Sequence, residues 1–172
     1  MRLSFAGSGQ QQRRDPTAGD ALHGAGIRAW REYLPARVAY DATSASLRDR
    51  IRVERAFRFG DLAELVLSDN RLRRDPHPCG EEGPGARFYQ MEAKCPGRTA
   101  KGRSMLGAEQ RRWLVDRLAR SEARWKLWAS SVPLTPIGYG SGASRSYLTL
   151  DTWAGFEHER RAILAELARR GV

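Results

Sequence analysis

An α/β domain, with strands flanked by helices and joined by long loops, is predicted by three features of this sequence. Two short alternating segments stand side by side at residues 53–69. A long segment with one apolar face at helical period follows at 106–123. A further apolar strand and a second periodic helix come after it, and the order strand, helix, strand, helix points to layers of sheet and helix.

Residues 1–26 are rich in Gly, Gln, Arg and Asp with no period, and a loose end is expected there. In "IRAWREYLPAR", Ile27, Trp30, Tyr33 and Leu34 fall at helical spacing, closed by Pro35. "VERAFRFG" alternates, with Phe57 and Phe59 on one side, and "LAELVLSD" follows after a short Gly-Asp link, which reads as a hairpin. From about 70 to 104 periodicity gives way to Pro76, Pro78, Gly80, Gly83, Pro84, Gly85, Pro96 and Gly97. A connection that long in a compact domain is either functional or disordered in isolation.

The clearest helix comes next. Leu106, Gln110, Trp113, Leu114, Leu118 and Ser121 share one face, with Gly107 placed as N-cap and the Gln110 amide three residues on, spaced to reach back to it. "WKLWASSV" reads as a buried strand, and "PIGYGSGASRSYLTL" as a flexible loop. Phe156, Arg160, Ile163, Leu164 and Leu167 mark the last helix.

At 172 residues the chain suits one domain or a piece of a larger one, and a 41% hydrophobic fraction is enough to build a core. Mean hydropathy is −0.61, and no window approaches the run of about 18 apolar residues that a membrane span needs. Arg13 and Arg14 precede no apolar stretch, so the sequence as written carries no export signal. The net charge of +10 is spread over helices with acids interleaved. Arg111, Arg112, Arg117, Arg120 and Arg124 alternate with Glu109, Asp116 and Glu122, the look of a solvated helix and not of a nucleic-acid stripe. Cys79 and Cys95 are too few for a disulfide framework; inert thiols are expected, with a single bridge between them as the other reading.

Several chemistries fail on spacing. Gly138, Gly140 and Gly142 alternate without the Lys of a phosphate loop or a helix to follow. His77, Cys79 and Cys95 lack the paired spacing and fourth ligand of a structural zinc site. His158 lies in the first turn of the last helix among acids, as a surface residue would, and His23 lies in the loose end. No nucleophile elbow or Ser-His-Asp set is visible. What remains is "SDNR". Asp69, Asn70 and Arg71 leave the C-terminal end of an apolar strand, where open α/β sheets place their ligands. Arginine's planar fork suits a phosphate or carboxylate. Two readings stay open on chemistry alone: a ligand contact, or Asp69 pairing with Arg71 or Arg73 to pin the loop.

Three spaced blocks carry a family likeness. "FRFGDLAELVLSDNRLRR", "SMLGAEQRRWLVDRLARSEARWKLWASSVPL" and "DTWAGFEHERRAIL", preceded by "AWREYLPARV", resemble in order the blocks of the phosphatase D (PhoD-like) metallophosphoesterases over about residues 27–170. The resemblance implies a metallophosphoesterase-type layered domain. Its implied activity is hydrolysis of phosphate monoesters and diesters at alkaline pH, by exported proteins using iron and calcium to polarise the phosphoryl oxygens and supply hydroxide. It matches Asp69 and Arg71 to the acid and arginine of the family's LDTR block. Asp69 would then orient the site or stand behind a metal, and Arg71 would steady the phosphate or hold the strand end.

The departures shape the expectation. The family's metal ligands come mainly from blocks such as WDDHE upstream and GDxH downstream. Residues 1–26 hold nothing like the first, and the sequence stops at Gly171 and Val172 before the second. Ser130 stands where the family has an asparagine, whose amide carbonyl suits a metal or a turn better than a hydroxyl does. The expectation is therefore the central part of a PhoD-like domain over 27–172, incomplete as a layered fold. It would not bind iron and calcium or turn over by itself, and its location stays open between the export of the intact family and the cytoplasm, since the sequence as written carries no signal. A phosphate ester or phosphate is the expected ligand. A phosphate-holding or polyanion-holding module without cleavage, built on Arg71, Arg73 and Arg74 at the strand end, and a gene remnant with no role, are the other readings.

Overall fold

The computed structural model describes residues 16–79, 88–91 and 95–172. The chain divides into two compact units after Val53. In the first, helix α1 spans Pro16–Tyr33. Proline fits the first helical position because its missing N–H would have no partner there. Residues 16–26 are thus helical and not loose, whereas 1–15 lie outside the described residues. Glycine at 19, 24 and 26 hid the helix from a periodicity reading, yet the element is amphipathic enough to bury Ile27. Tyr33 and Leu34, expected on the same face, are exposed. After β1 (Ala39–Tyr40), the short helix α2 (Leu47–Arg50) returns the chain to β2 (Ile51–Arg52), which pairs antiparallel with β1.

The second unit is built on β3 (Arg55–Phe59), β4 (Ala63–Ser68) and β6 (Trp125–Ser130), in the order β3-β4-β6. The predicted hairpin is present: β3 and β4 are antiparallel, and Gly60 at φ 54° takes the left-handed position its turn requires. β6 runs parallel to β4 from Ala63↔Trp125 to Ser68↔Ser130. Parallel neighbours need a crossover, and helix α3 (Gly107–Arg120) supplies it. α3 buries Gln110, Leu114, Val115 and Leu118, and Val66 of the sheet joins Leu114, Leu118, Trp153, Phe156 and Ile163 in one core. Helix α4 (Glu157–Arg169) closes this layer with Ile163 and Leu167. "WKLWASSV", expected buried, is a strand with Trp125 and Leu127 exposed.

The capping expectation is corrected. Leu106, not Gly107, is the N-cap, and the Ser104 hydroxyl accepts from the Gly107 N–H at 2.7 Å. Ser104 in turn donates to Glu159 at the start of α4, and the Met105 N–H donates to the same carboxylate, which ties the two helix starts together.

The described residues of the two loop regions carry more regular structure than the glycines suggest. "PIGYGSGASRSYLTL" holds β7 (Gly138–Tyr139) and β8 (Ser146–Thr149), and β8 pairs with β5 (Phe88–Met91) in a second sheet, β5-β8-β7. Gly80, Gly83, Pro84 and Gly85 of the first loop lie outside the described residues. Cys79 and Cys95 are joined in a disulfide with Cα atoms 5.3 Å apart, which corrects the expectation of inert thiols. With its cysteines 16 positions apart in sequence, the bridge stabilises the fold by about 3 kcal/mol in the chain-entropy account. The sequence spacing could not show it, because the pairing is set by where the loop returns.

Candidate functional site at the parallel strand ends

β4 and β6 end in register at Ser68 and Ser130, so Asp69, Asn70 and Arg71 leave the sheet beside Ser131 and Val132. This is the carboxyl edge of a parallel pair, the place where open α/β sheets hold ligands. Two indoles fix the edge: Trp128 Nε1 donates to Ser68 Oγ at 2.9 Å and Trp153 Nε1 to Ser130 Oγ at 3.1 Å. The two rings meet edge to face at 5.5 Å.

Asp69 is buried, and Gln110 of α3 holds its backbone from both sides. The Gln110 Oε1 accepts from the Asp69 N–H at 2.6 Å, and Nε2 donates to the Asp69 carbonyl at 3.0 Å. The Asp69 carboxylate then turns the chain: Oδ1 accepts from the N–H of Arg71 at 2.8 Å and of Leu72 at 3.1 Å. The pinning interaction is therefore with backbone N–H groups and not with a guanidinium. Asp69 shapes the loop and aims Arg71.

Asn70 is 1% exposed. Its Oδ1 accepts from the Ser131 N–H at 3.2 Å, with the Ser68 and Ser130 hydroxyls also at 3.2 Å. Ser130 has one proton, and its shorter contact is donation to the Val132 carbonyl at 2.8 Å. So the hydroxyl that stands in for an asparagine makes the loop's own bonds. The Asn70 Nδ2 is buried without a partner among the described residues. An orphaned N–H pair is a donor seeking an oxygen, and its cost of about 1–3 kcal/mol would be relieved by an anionic or water oxygen.

Arg71 and Arg74 converge on Asp151. Arg71 Nη1 lies 2.9 Å from Oδ2 and Arg74 Nη1 lies 2.6 Å from Oδ1. Burial pushes the Asp151 carboxyl up, but Arg74 and Arg71 outweigh it and hold the group below its ordinary range. Arg73 turns away, 4.0 Å from Glu54. The sequence reading found Asp69, Asn70 and Arg71, which the structure does bring together. It placed Arg74 at the strand end without naming its partner, missed Asp151 and took Gln110 for a cap. The available signal for Asp151 was its place at the head of "DTWAGF", whose Trp153 reaches the same strand end.

These residues were tested against the iron and calcium that the resemblance implies. Among the described residues no three His, Cys, Asp or Glu side chains gather as a metal-binding group. Asp69 Oδ1 is committed to backbone N–H groups, which leaves a single oxygen of that carboxylate, both Asp151 oxygens are committed to arginines, and the Asn70 oxygen to Ser131, leaving a nitrogen that a metal does not take. Cys79 and Cys95 are bonded to each other, and His158 is exposed. The described residues do not fit the metal pair.

Comparison with known proteins places the fold and family. Alkaline phosphatase D of Bacillus subtilis (strain 168) is 28% identical over 140 residues, 81% of this chain and 22% of the relative. A solved structure of PhoD superimposes with a TM-score of 0.72 at 23% identity, covering 87% of this chain and 26% of that one, and it shares the fold. The chain thus spans roughly a quarter or less of the length of these relatives. The sequence model of the PhoD-like phosphatase family matches residues 5–172, so it reaches well upstream of the blocks first recognised, and the chain belongs to that family.

Proposed function

We propose that this chain is the phosphoester-holding part of a PhoD-type metal-dependent phosphoesterase, with Arg71 as its principal phosphate contact. The observation that supports this most is the Arg71–Asp151–Arg74 cluster standing at the carboxyl edge of β4 and β6, on a turn fixed by Gln110 and Asp69. Arg71 is the solvent-side member, with 36% of its side chain exposed against 10% for Arg74. A phosphoryl oxygen is the same kind of acceptor as the carboxylate it would replace, so Arg71 can turn a planar N–H edge to a phosphate while Arg74 keeps Asp151 in place. The Asn70 Nδ2 is a second donor at the same strand end. Iron and calcium, and cleavage of diesters as well as monoesters, belong to this reading through the family likeness. Residues to hold those ions would have to come from outside the described set. The Cys79–Cys95 disulfide is chemistry of an oxidising compartment, which favours an exported setting for the proposed function over the cytoplasm.

Binding of inorganic phosphate by calorimetry, run beside hydrolysis of a chromogenic bis-aryl phosphate at alkaline pH with iron and calcium added, tests the proposal. Expected is saturable binding, weakened about tenfold by Arg71→Ala, with no turnover by this chain alone. Phosphate binding indifferent to Arg71 would end the reading of the site. Robust turnover lost in Asp69→Ala would show that these residues assemble a complete active site, against the proposal.

A further inference from the structure

At the opposite end of β4 from Asp69, a cavity of about 380 Å³ opens between the sheet and the last two turns of α3. Arg58, Glu64, Trp113, Asp116, Arg117 and Arg120 are among the residues that line it. Glu64 sits on the inward side of the strand, two residues before the fully buried Val66, where an apolar residue would ordinarily pack. Burial of a carboxylate there is costly. Burial raises its pKa, but the Ser121 hydroxyl and Arg117 outweigh that and keep it ionised. Arg117 Nε donates to Glu64 Oε1, and Arg58, directly across the ladder on β3, brings Nη1 to 3.8 Å from Oε2. The buried acid therefore holds two guanidiniums at the cavity wall. Arg120, one turn beyond Asp116, is exposed and makes no ion pair among the described residues. Asp116 is occupied by Arg170 at 2.6 Å. Trp113, half-buried against the core, offers a flat apolar wall.

We infer that this cavity is a second binding site, for a small singly charged aryl oxyanion such as an aryl sulfonate or carboxylate. Its anionic head would lie on Arg120 and Arg117, and its ring against Trp113. One negative charge matches the lining, since Glu64 offsets one of the three guanidiniums, Arg170 neutralises Asp116, Arg58 also bonds the Gly60 carbonyl and lies 3.5 Å from Asp61, and Arg120 is left to be neutralised. The volume suits a single-ring ligand. This site is independent of the strand-end arginines.

Benzenesulfonate titrated into the full chain, followed by the Trp113 indole N–H in NMR spectra, tests the inference. A saturable shift is expected. Arg120→Ala should weaken binding about tenfold. Arg112→Ala removes the same charge from the same helix outside the cavity and should change it less than about twofold. Methanesulfonate, lacking the ring, should bind roughly threefold to tenfold more weakly, and Arg71→Ala should leave benzenesulfonate binding unchanged. No saturable shift, equal losses in the Arg112 and Arg120 variants, or methanesulfonate binding as tightly would overturn it.

Discussion

The two faces of the sheet β3-β4-β6 carry similar residues and meet opposite surroundings. Toward the helices point Ala56, Val66 and Trp128, and Val66 is fully buried beneath Leu114 and Leu118 of α3. Away from them point Phe57, Phe59, Leu65, Trp125 and Leu127, which the same register places on the other side. There Phe57 is 43%, Phe59 58%, Trp125 59% and Leu127 47% exposed. The difference teaches that alternation decides which side chains share a face, but only a neighbouring element decides whether that face leaves water. It also locates stability: the helix-covered side carries the core, and the strand-end turn is anchored from that side.

The largest expected effect breaks the comparison most directly. Leu114→Ala should lower unfolding free energy by about 2–5 kcal/mol, while Leu127→Ala on the exposed face should cost less than about 1 kcal/mol. Urea unfolding of both variants checks this, and equal losses would mean that the exposed face is covered in solution. Next, Gln110→Ala would strip the Asp69 backbone of both its partners and should cost about 1–3 kcal/mol. Faster amide exchange at Asp69, Arg71 and Leu72 would distinguish a loosened turn from a general loss of stability.

A smaller effect is sharpened by pH. The Asp151 carboxyl is held below its ordinary 3.8 in the folded chain, so its stabilising share is present above 3.8 and is lost as pH falls through the lowered value. Asp151→Asn should therefore lower the unfolding midpoint at pH 7 and converge with the parent in strong acid. Glu159 runs the other way: burial raises its carboxyl above 4.5, so its share is present below 4.5 and is lost as pH rises through the raised value. A wild-type and Asp151→Asn pair whose difference grows on acidification would contradict the first assignment. Smallest of all, Phe59→Ser should change unfolding by less than about 0.5 kcal/mol and raise solubility, because it removes apolar surface that water already touches.

The hairpin at 55–68, the strand at 125–130 and the helices at 107–120 and 157–169 were all legible, because each carries its own period. Helix α1 before Ile27 and the strands β7 and β8 were not, since glycines break the pattern, the two strands are short, and β8 also pairs with β5, distant in sequence, as at Phe88↔Thr149. Within the site, Asp69, Asn70 and Arg71 could be found because they interrupt an apolar strand. Asp151 lies 80 residues from Arg71 and Gln110 lies 41 from Asp69, separations at which no local period operates.

By itself, then, the sequence determined the elements, their amphipathic faces and, through spaced blocks, the family. Tertiary structure decided what each polar side chain does: that Asp69 bonds backbone, that Gln110 clamps a strand end, that two cysteines meet, and which side of the sheet stays wet. The reason is physical. Period and turn chemistry are properties of neighbours along the chain, whereas burial, ion pairing and a disulfide depend on which distant segment arrives beside a residue.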